Sequence, residues 1–161
     1  NFQRLSNYLF TPDFVEKLVK DFPKAIIGCK DSSYNLYKII KIPGFSMLPG
    51  SETKLLEGLQ SGSCCGIISA ITNVTHRLAR QVYDDFQNNK KQTLNEKLCA
   101  VRKAFDDSGN LVSAVHSFLS LKDENYKRLL PPLTLLSKEK QKELLNKLKE
   151  LEFITSKNIA A

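Results

Sequence analysis

The sequence predicts an α/β fold, with a short parallel sheet and its helices followed by an all-helical extension. Three observations predict it. The run Ala25-Ile26-Ile27-Gly28-Cys29 is short, apolar and rich in β-branched residues, and Pro23 and the cluster Asp31-Ser32-Ser33 bound it, as expected of a fully buried strand of a parallel sheet. Two more apolar runs, 45–48 and 66–70, alternate with helical patterns in the βαβ manner. After Asn73 the alternation stops and only helical patterns follow.

Each element has a local reason. Thr11-Pro12 caps and opens a helix that runs to about Pro23, with Asp13 and Glu16 in its first turn and Phe14, Val15, Leu18 and Val19 as its apolar stripe. A short amphipathic helix is expected over 34–41, leading through Pro43-Gly44 into the second strand. A helix over 52–60 stops before Gly62, and the third strand follows. Further helices are expected over 75–88, 94–107 and 111–121. The connector Leu130-Pro131-Pro132-Leu133 then leads to a last helix over 137–151, with Ser137 as N-cap. Residues 155–161 read as a loose tail.

Composition narrows the function classes. The 161 residues are 42% apolar, enough for an ordinary globular core, and Asn1 rather than methionine at the start suggests a piece of a larger chain. No apolar run reaches the ~18 residues of a membrane span, so a soluble cytoplasmic protein with no membrane partner is expected. The four cysteines, at 29, 64, 65 and 99, show neither C-x-x-C spacing nor histidines at zinc spacing; they read as small buried hydrophobes in a reducing compartment, and no metal is expected. The net charge of +7 invites a nucleic-acid reading. However, Lys138, Lys140, Lys142, Lys147 and Lys149 interleave with Glu139, Glu143 and Glu150 at helical pair spacings, which describes a solvated helix face and no nucleic-acid partner. His76 and His116 read as surface histidines.

Lys30 is the candidate catalytic residue, because it closes the first apolar run. In parallel sheets the chemistry sits at the carboxyl ends of the strands. A lysine desolvated there can attack a carbonyl as the free amine and form a Schiff base. The plainer reading is a loop lysine with its ammonium in water.

Three segments in order bear on that choice. Gly28-Cys29-Lys30-Asp31 resembles the G-x-K-[DE] strand of the dihydrodipicolinate synthase and N-acetylneuraminate lyase family of class I aldolases. Met47-Leu48-Pro49-Gly50-Ser51-Glu52 is similar to that family's next strand and turn. Gly62-Ser63-Cys64-Cys65-Gly66-Ile67-Ile68-Ser69-Ala70, with Asn73, resembles its last strand, roughly G-G-x-G-x-I-S-x-x-x-N. The resemblance implies the second half of a (β/α)8 TIM barrel, with its last three strand-helix units over 1–90 and a helical extension over 91–161. It implies a carbon-carbon lyase or synthase that joins Lys30 to pyruvate or a related 2-oxo acid as an iminium, with an aldehyde or sugar acid as second substrate. No cofactor is implied beyond the covalent Schiff base, and a homo-oligomer, dimer or tetramer, is expected.

The resemblance also names candidate substrate-binding residues: Gly50, Ser51, Glu52, Ile67 and Ile68. Gly50 either lets the backbone approach a ligand or permits a turn, and Glu52 either orients a substrate hydroxyl or serves as a helix N-terminal acid. Ile67 or Ile68 would present a backbone carbonyl to the oxo acid, and Asn73 would close the following loop. The family's proton-carrying tyrosine would fall one residue before Asn1, with Tyr8, Tyr34 and Tyr37 as the visible alternatives, and its carboxylate-binding hydroxyl pair lies on an earlier strand. The pattern departs from Asn-x-Pro-x-Arg, since Gln3 stands in place of proline and Leu5 in place of arginine, with Arg4 one residue early. That departure weakens a lysine-biosynthesis role, and Lys30-Asp31-Ser32-Ser33 with Ser51-Glu52 is more similar to sugar-acid aldolases or to uncharacterised branches of the family. Tyr34, where many members carry glycine, implies a differently shaped loop after Lys30. The alternative reading is a non-catalytic half barrel serving as an assembly or binding module.

Overall fold

The computed structural model describes residues 1–154, so the tail expected over 155–161 lies outside the described residues. Among the described residues, seven α-helices and two parallel strands divide between two compact units, residues 1–69 with 80–92 and residues 70–79 with 93–154.

The first unit opens with the single turn α1 (Gln3–Ser6) and then α2 (Pro12–Asp21), where Thr11 Oγ1 accepts from the Phe14 N–H at 3.2 Å as the N-cap. The strand expected to end at Lys30 is displaced along the chain. Ala25 and Ile26 donate to the Phe22 carbonyl and form a turn behind α2, so β1 is Gly28–Asp31. β1 pairs in parallel with β2 (Ser46–Pro49), with Lys30 opposite Leu48 and Asp31 opposite Pro49.

Alternation then separates the two faces of this ladder. Met47 is fully buried and Cys29 and Cys64 are half-buried, packed with Val15, Leu36, Tyr37 and Ile40. Lys30 is exposed and Leu48 half-buried. The expectation of a strand buried on both faces is therefore corrected, since Ile27 and Lys30 face solvent.

Two further expectations change. Residues 34–41 form a series of turns rather than a helix, although Leu36, Tyr37 and Ile40 are buried as the amphipathic pattern requires. The third strand is reduced to a single parallel bridge, Cys64 to Met47, with two flanking bonds: Cys65 N–H to the Met47 carbonyl at 3.1 Å and Ile68 N–H to the Pro49 carbonyl at 3.2 Å. Gly66, at φ +156°, breaks the regular pleat between those bonds. Between β2 and this segment a 3-10 turn (Glu52–Lys54) feeds α3 (Leu55–Gln60).

α4 (Thr72–Gln87) is divided between the units. The second unit is built on α5 (Asn95–Asp107), α6 (Leu111–Leu119) and α7 (Lys138–Glu150). Its core gathers Val101, Phe105, Ala114, Val115, Leu144 and Leu148. Full burial of a side chain such as Phe105 contributes about 1.5–3 kcal/mol. The peptide between Pro131 and Pro132 is cis. The connector is tied to α6 by the Leu136 N–H donating to Ser117 Oγ at 2.8 Å, and α7 is tied to the same residue by Gln141 Nε2 donating to the Ser117 carbonyl at 2.7 Å.

Candidate active site at the strand ends

The parallel register places Lys30 beside Leu48, one residue before β1 ends at Asp31. The chain turns away from both strands at the same level: Gly50 N–H donates to the Asp31 carbonyl at 2.9 Å, and Ile68 N–H to the Pro49 carbonyl. Lys30, Gly50 and Ile68 are thus gathered at one edge of the ladder. The Lys30 side chain is exposed to solvent among the described residues.

The turn after Lys30 is organised by Asp31, a residue the sequence reading passed over. Its side chain is fully buried. Oδ1 accepts from the Ser33 and Tyr34 N–H groups at 3.2 and 2.9 Å, and Oδ2 from those of Leu36 and Tyr37 at 2.8 and 3.0 Å. Asn1 Nδ2 adds a fifth bond to Oδ1 at 2.9 Å. One carboxylate therefore satisfies four backbone donors, which explains why residues 34–41 stay in turns. The available signal was an aspartate directly before a Ser-Ser-Tyr-Asn turn cluster.

Asn1 is bound into the same network. Its Oδ1 accepts from the Phe10 N–H at 3.1 Å, its carbonyl accepts from the Ser32 N–H at 2.9 Å, and its nitrogen stands 2.8 Å from the Lys30 carbonyl. The start of the chain therefore runs alongside the carbonyl of Lys30.

The other candidate residues have definite structural neighbours. An added Cβ at Gly50 would collide with Ser32 Oγ and stand 3.1 Å from Ser32 Cβ, so the close approach that demands glycine is to the loop after Lys30. Ser51 is buried, and its Oγ accepts from the Thr53 N–H at 3.3 Å as cap of the 3-10 turn. Glu52 is fully buried, and its Oε2 accepts from Ser69 Oγ at 2.7 Å, linking the turn after β2 to the third segment. Ile67 is half-buried, whereas Ile68 is 48% exposed. Asn73 Nδ2 donates to the Ala70 carbonyl at 2.8 Å and closes its loop.

The visible tyrosines are committed elsewhere. Tyr8 packs edge-on against Phe10 and Phe14, Tyr34 is edge-on to Tyr37, and the Tyr37 hydroxyl donates to Glu57 Oε2 at 2.6 Å. Hydrogen bonds from Lys38 and then Tyr37 hold the Glu57 carboxyl down at about 2, although burial opposes the shift. Cys29 lies on the opposite face from Lys30, and burial pushes its thiol above the ordinary range. All four cysteines are free thiols, but none is buried as expected: Cys29, Cys64 and Cys99 are half-buried and Cys65 is exposed. Among the described residues no three His, Cys, Asp or Glu side chains converge on a metal position. No described helix is long and apolar enough to cross a membrane.

Comparison with known proteins gives this arrangement a context. The model of the dihydrodipicolinate synthetase family matches residues 1–151. Among solved structures, the chain is similar to YagE, an Escherichia coli K12 prophage protein of the dihydrodipicolinic acid synthase family in complex with pyruvate, at 20% identity and TM-score 0.83; the match covers 96% of this chain and 55% of that one. It is similar to dihydrodipicolinate synthase from Thermotoga maritima at 20% identity and TM-score 0.81, covering 96% and 55%. The synthase from Agrobacterium tumefaciens matches at 20% identity and TM-score 0.77, covering 94% and 52%. No curated protein sequence matches, and the chain spans a little over half the length of these solved relatives. With the family model matched over nearly its whole length, the chain belongs to the dihydrodipicolinate synthetase family.

Proposed function

We propose that the chain forms the carboxyl-terminal part of a (β/α)8 barrel enzyme, a class I lyase or synthase in which Lys30 forms a Schiff base with pyruvate or a related 2-oxo acid. The observation that carries the reading is the position of Lys30, next to last in a parallel strand, on the face opposite the packed core and beside two strand-end turns. Family membership and the pyruvate complex of one solved relative support it.

The chemistry balances on these groups. The neutral Lys30 amine adds to C2 of the oxo acid, and the carbinolamine loses water to give the iminium. Loss of a C3 proton then gives an enamine, which attacks an aldehyde; cleavage is the reverse. Gly50 holds the backbone close to the Ser32 turn and Asp31 fixes that turn, so both act as positioning residues. Buried Glu52 orients the turn after β2 through Ser69. The carboxylate-binding hydroxyls and the proton-carrying tyrosine belong, in this reading, to segments before Asn1. The Asn1 nitrogen, 2.8 Å from the Lys30 carbonyl, supports this reading, because a residue joined to that nitrogen would lie beside the lysine.

Exchange of the pyruvate methyl protons for deuterium in D2O, followed by proton NMR on the full-length protein, tests the enamine. The proposal expects enzyme-dependent exchange that falls to background in Lys30→Arg, which keeps the charge but loses the nucleophile. Exchange unaffected by that substitution would refute it.

A further inference from the structure

The loop that leaves Lys30 is fastened at two points, and only the first enters the Schiff-base reading. That first point is the Asp31 carboxylate, which accepts from the backbone N–H of Tyr34 at 2.9 Å. The second is the Tyr34 ring, which stands edge-on to Tyr37 with centroids 6.2 Å apart and planes at 82°. Between the two points lie Ser32 and Ser33, the side chains next beyond the lysine, and Ser32 is the one that Gly50 approaches.

Tyr34 requires the second point. Its φ is +59°, in the left-handed region that favours glycine and that a bulky side chain rarely enters. Such a conformation persists where surrounding contacts over-determine it. Lys54 supplies one of those contacts from the turn after β2. Its ammonium lies 5.9 Å from the centre of the Tyr34 ring and 6.0 Å from that of Tyr37, within reach of attraction by both rings.

The ammonium is itself anchored. Glu57 Oε2 stands 3.7 Å from Lys54 Nζ, and the same oxygen accepts from the Tyr37 hydroxyl at 2.6 Å. Lys38 also pairs with Glu57 and lies 5.6 Å from the Tyr37 ring, but it belongs to the loop itself. Lys54 stands two residues past Glu52, and its N–H donates to the Ser51 carbonyl at 3.1 Å. One side chain thus joins the loop after β1 to the turn after β2, the two strand ends beside the lysine.

We propose that Lys54 is a positioning residue of the Lys30 site, holding the loop after the lysine in its binding-competent form through Tyr34 and Tyr37. The inference rests on the Schiff-base reading. Lys30 is fixed by the β1–β2 ladder, so loss of the Lys54 ammonium leaves the nucleophile in place and lowers the fraction of molecules whose loop is ordered. A lower competent fraction weakens apparent substrate affinity in proportion and leaves the chemical step unchanged.

The test is methyl-proton exchange of pyruvate in D2O, measured on the full-length protein over a range of pyruvate concentrations. Lys54→Met is expected to raise KM about two- to fivefold, the worth of a partly exposed cation–π contact, with the saturated rate unchanged. Lys54→Arg, which keeps a cation able to stack on the rings and pair with Glu57, should restore the parent KM. In a Tyr34→Gly chain, where neither ring nor strain remains at 34, Lys54→Met should add no further change. Amide hydrogen exchange gives a reading independent of turnover: protection of Ser33, Tyr34 and Tyr37 should fall in Lys54→Met and return in Lys54→Arg. A KM equal to the parent's, a rise that Lys54→Arg does not reverse, or the same rise in the Tyr34→Gly chain would overturn the proposal. A parent protein that exchanges no methyl protons would instead fail the Schiff-base reading, and this inference with it.

Discussion

At Asp31 a single buried carboxylate serves four backbone N–H groups, so substitution there should affect folding before chemistry. Asp31→Asn presents an NH2 group to one pair of those donors, and an equilibrium urea titration should show a loss of about 2–4 kcal/mol. Gly50 makes a narrower prediction. Gly50→Ala should cost about 1–3 kcal/mol through collision with Ser32, and Ser32→Gly in the same chain should recover part of it. A cost unchanged by the second substitution would place the strain elsewhere. Glu57 gives a pH dependence with a definite sign. Its folded-state carboxyl is depressed to about 2, so its contribution to stability is complete above the ordinary carboxyl range and is lost as pH falls toward 2. The side chain is 44% exposed, so the contribution is small and screened by salt. A side-chain NMR titration should give a Glu57 midpoint near 2, and Lys38→Met should raise it.

Among the elements, the helices were the most legible in the sequence, because their starts are written in cap chemistry. Thr11-Pro12 and Ser137 cap α2 and α7 as expected. Ser137→Ala should therefore cost about 1 kcal/mol, and Leu148→Ala, which empties a fully buried site in the second core, about 2–5 kcal/mol, both read from thermal or urea unfolding. The strands were less legible. Ala25 and Ile26 carry strand-like side chains, but their N–H groups close a turn on Phe22 and shift β1 toward Asp31. Residues 34–41 kept the apolar spacing of a helix while Asp31 took the N–H groups that would have started one. Gly66 breaks the third strand to a bridge, an outcome that a run of Ile67 and Ile68 does not reveal by composition.

Over the whole molecule, the three segments that resemble the family in the sequence are those that converge on one ladder edge, while the buried roles of Asp31, Ser51 and Glu52 are set by the fold around them. A local pattern can mark which residue ends a strand; it cannot show which backbone groups a carboxylate will serve, because those lie two to six residues away through turns of unknown shape. The exposed side of Lys30 and the coverage of a little over half of each solved relative make the catalytic claim a statement about the full-length protein. Its most direct test is borohydride reduction of that protein in the presence of pyruvate, followed by intact-mass measurement and peptide mapping. A stable pyruvate adduct on the Lys30 peptide, absent without pyruvate, is the expected result; a Lys30 peptide left unmodified would contradict the Schiff-base account and favour a non-catalytic member of the family.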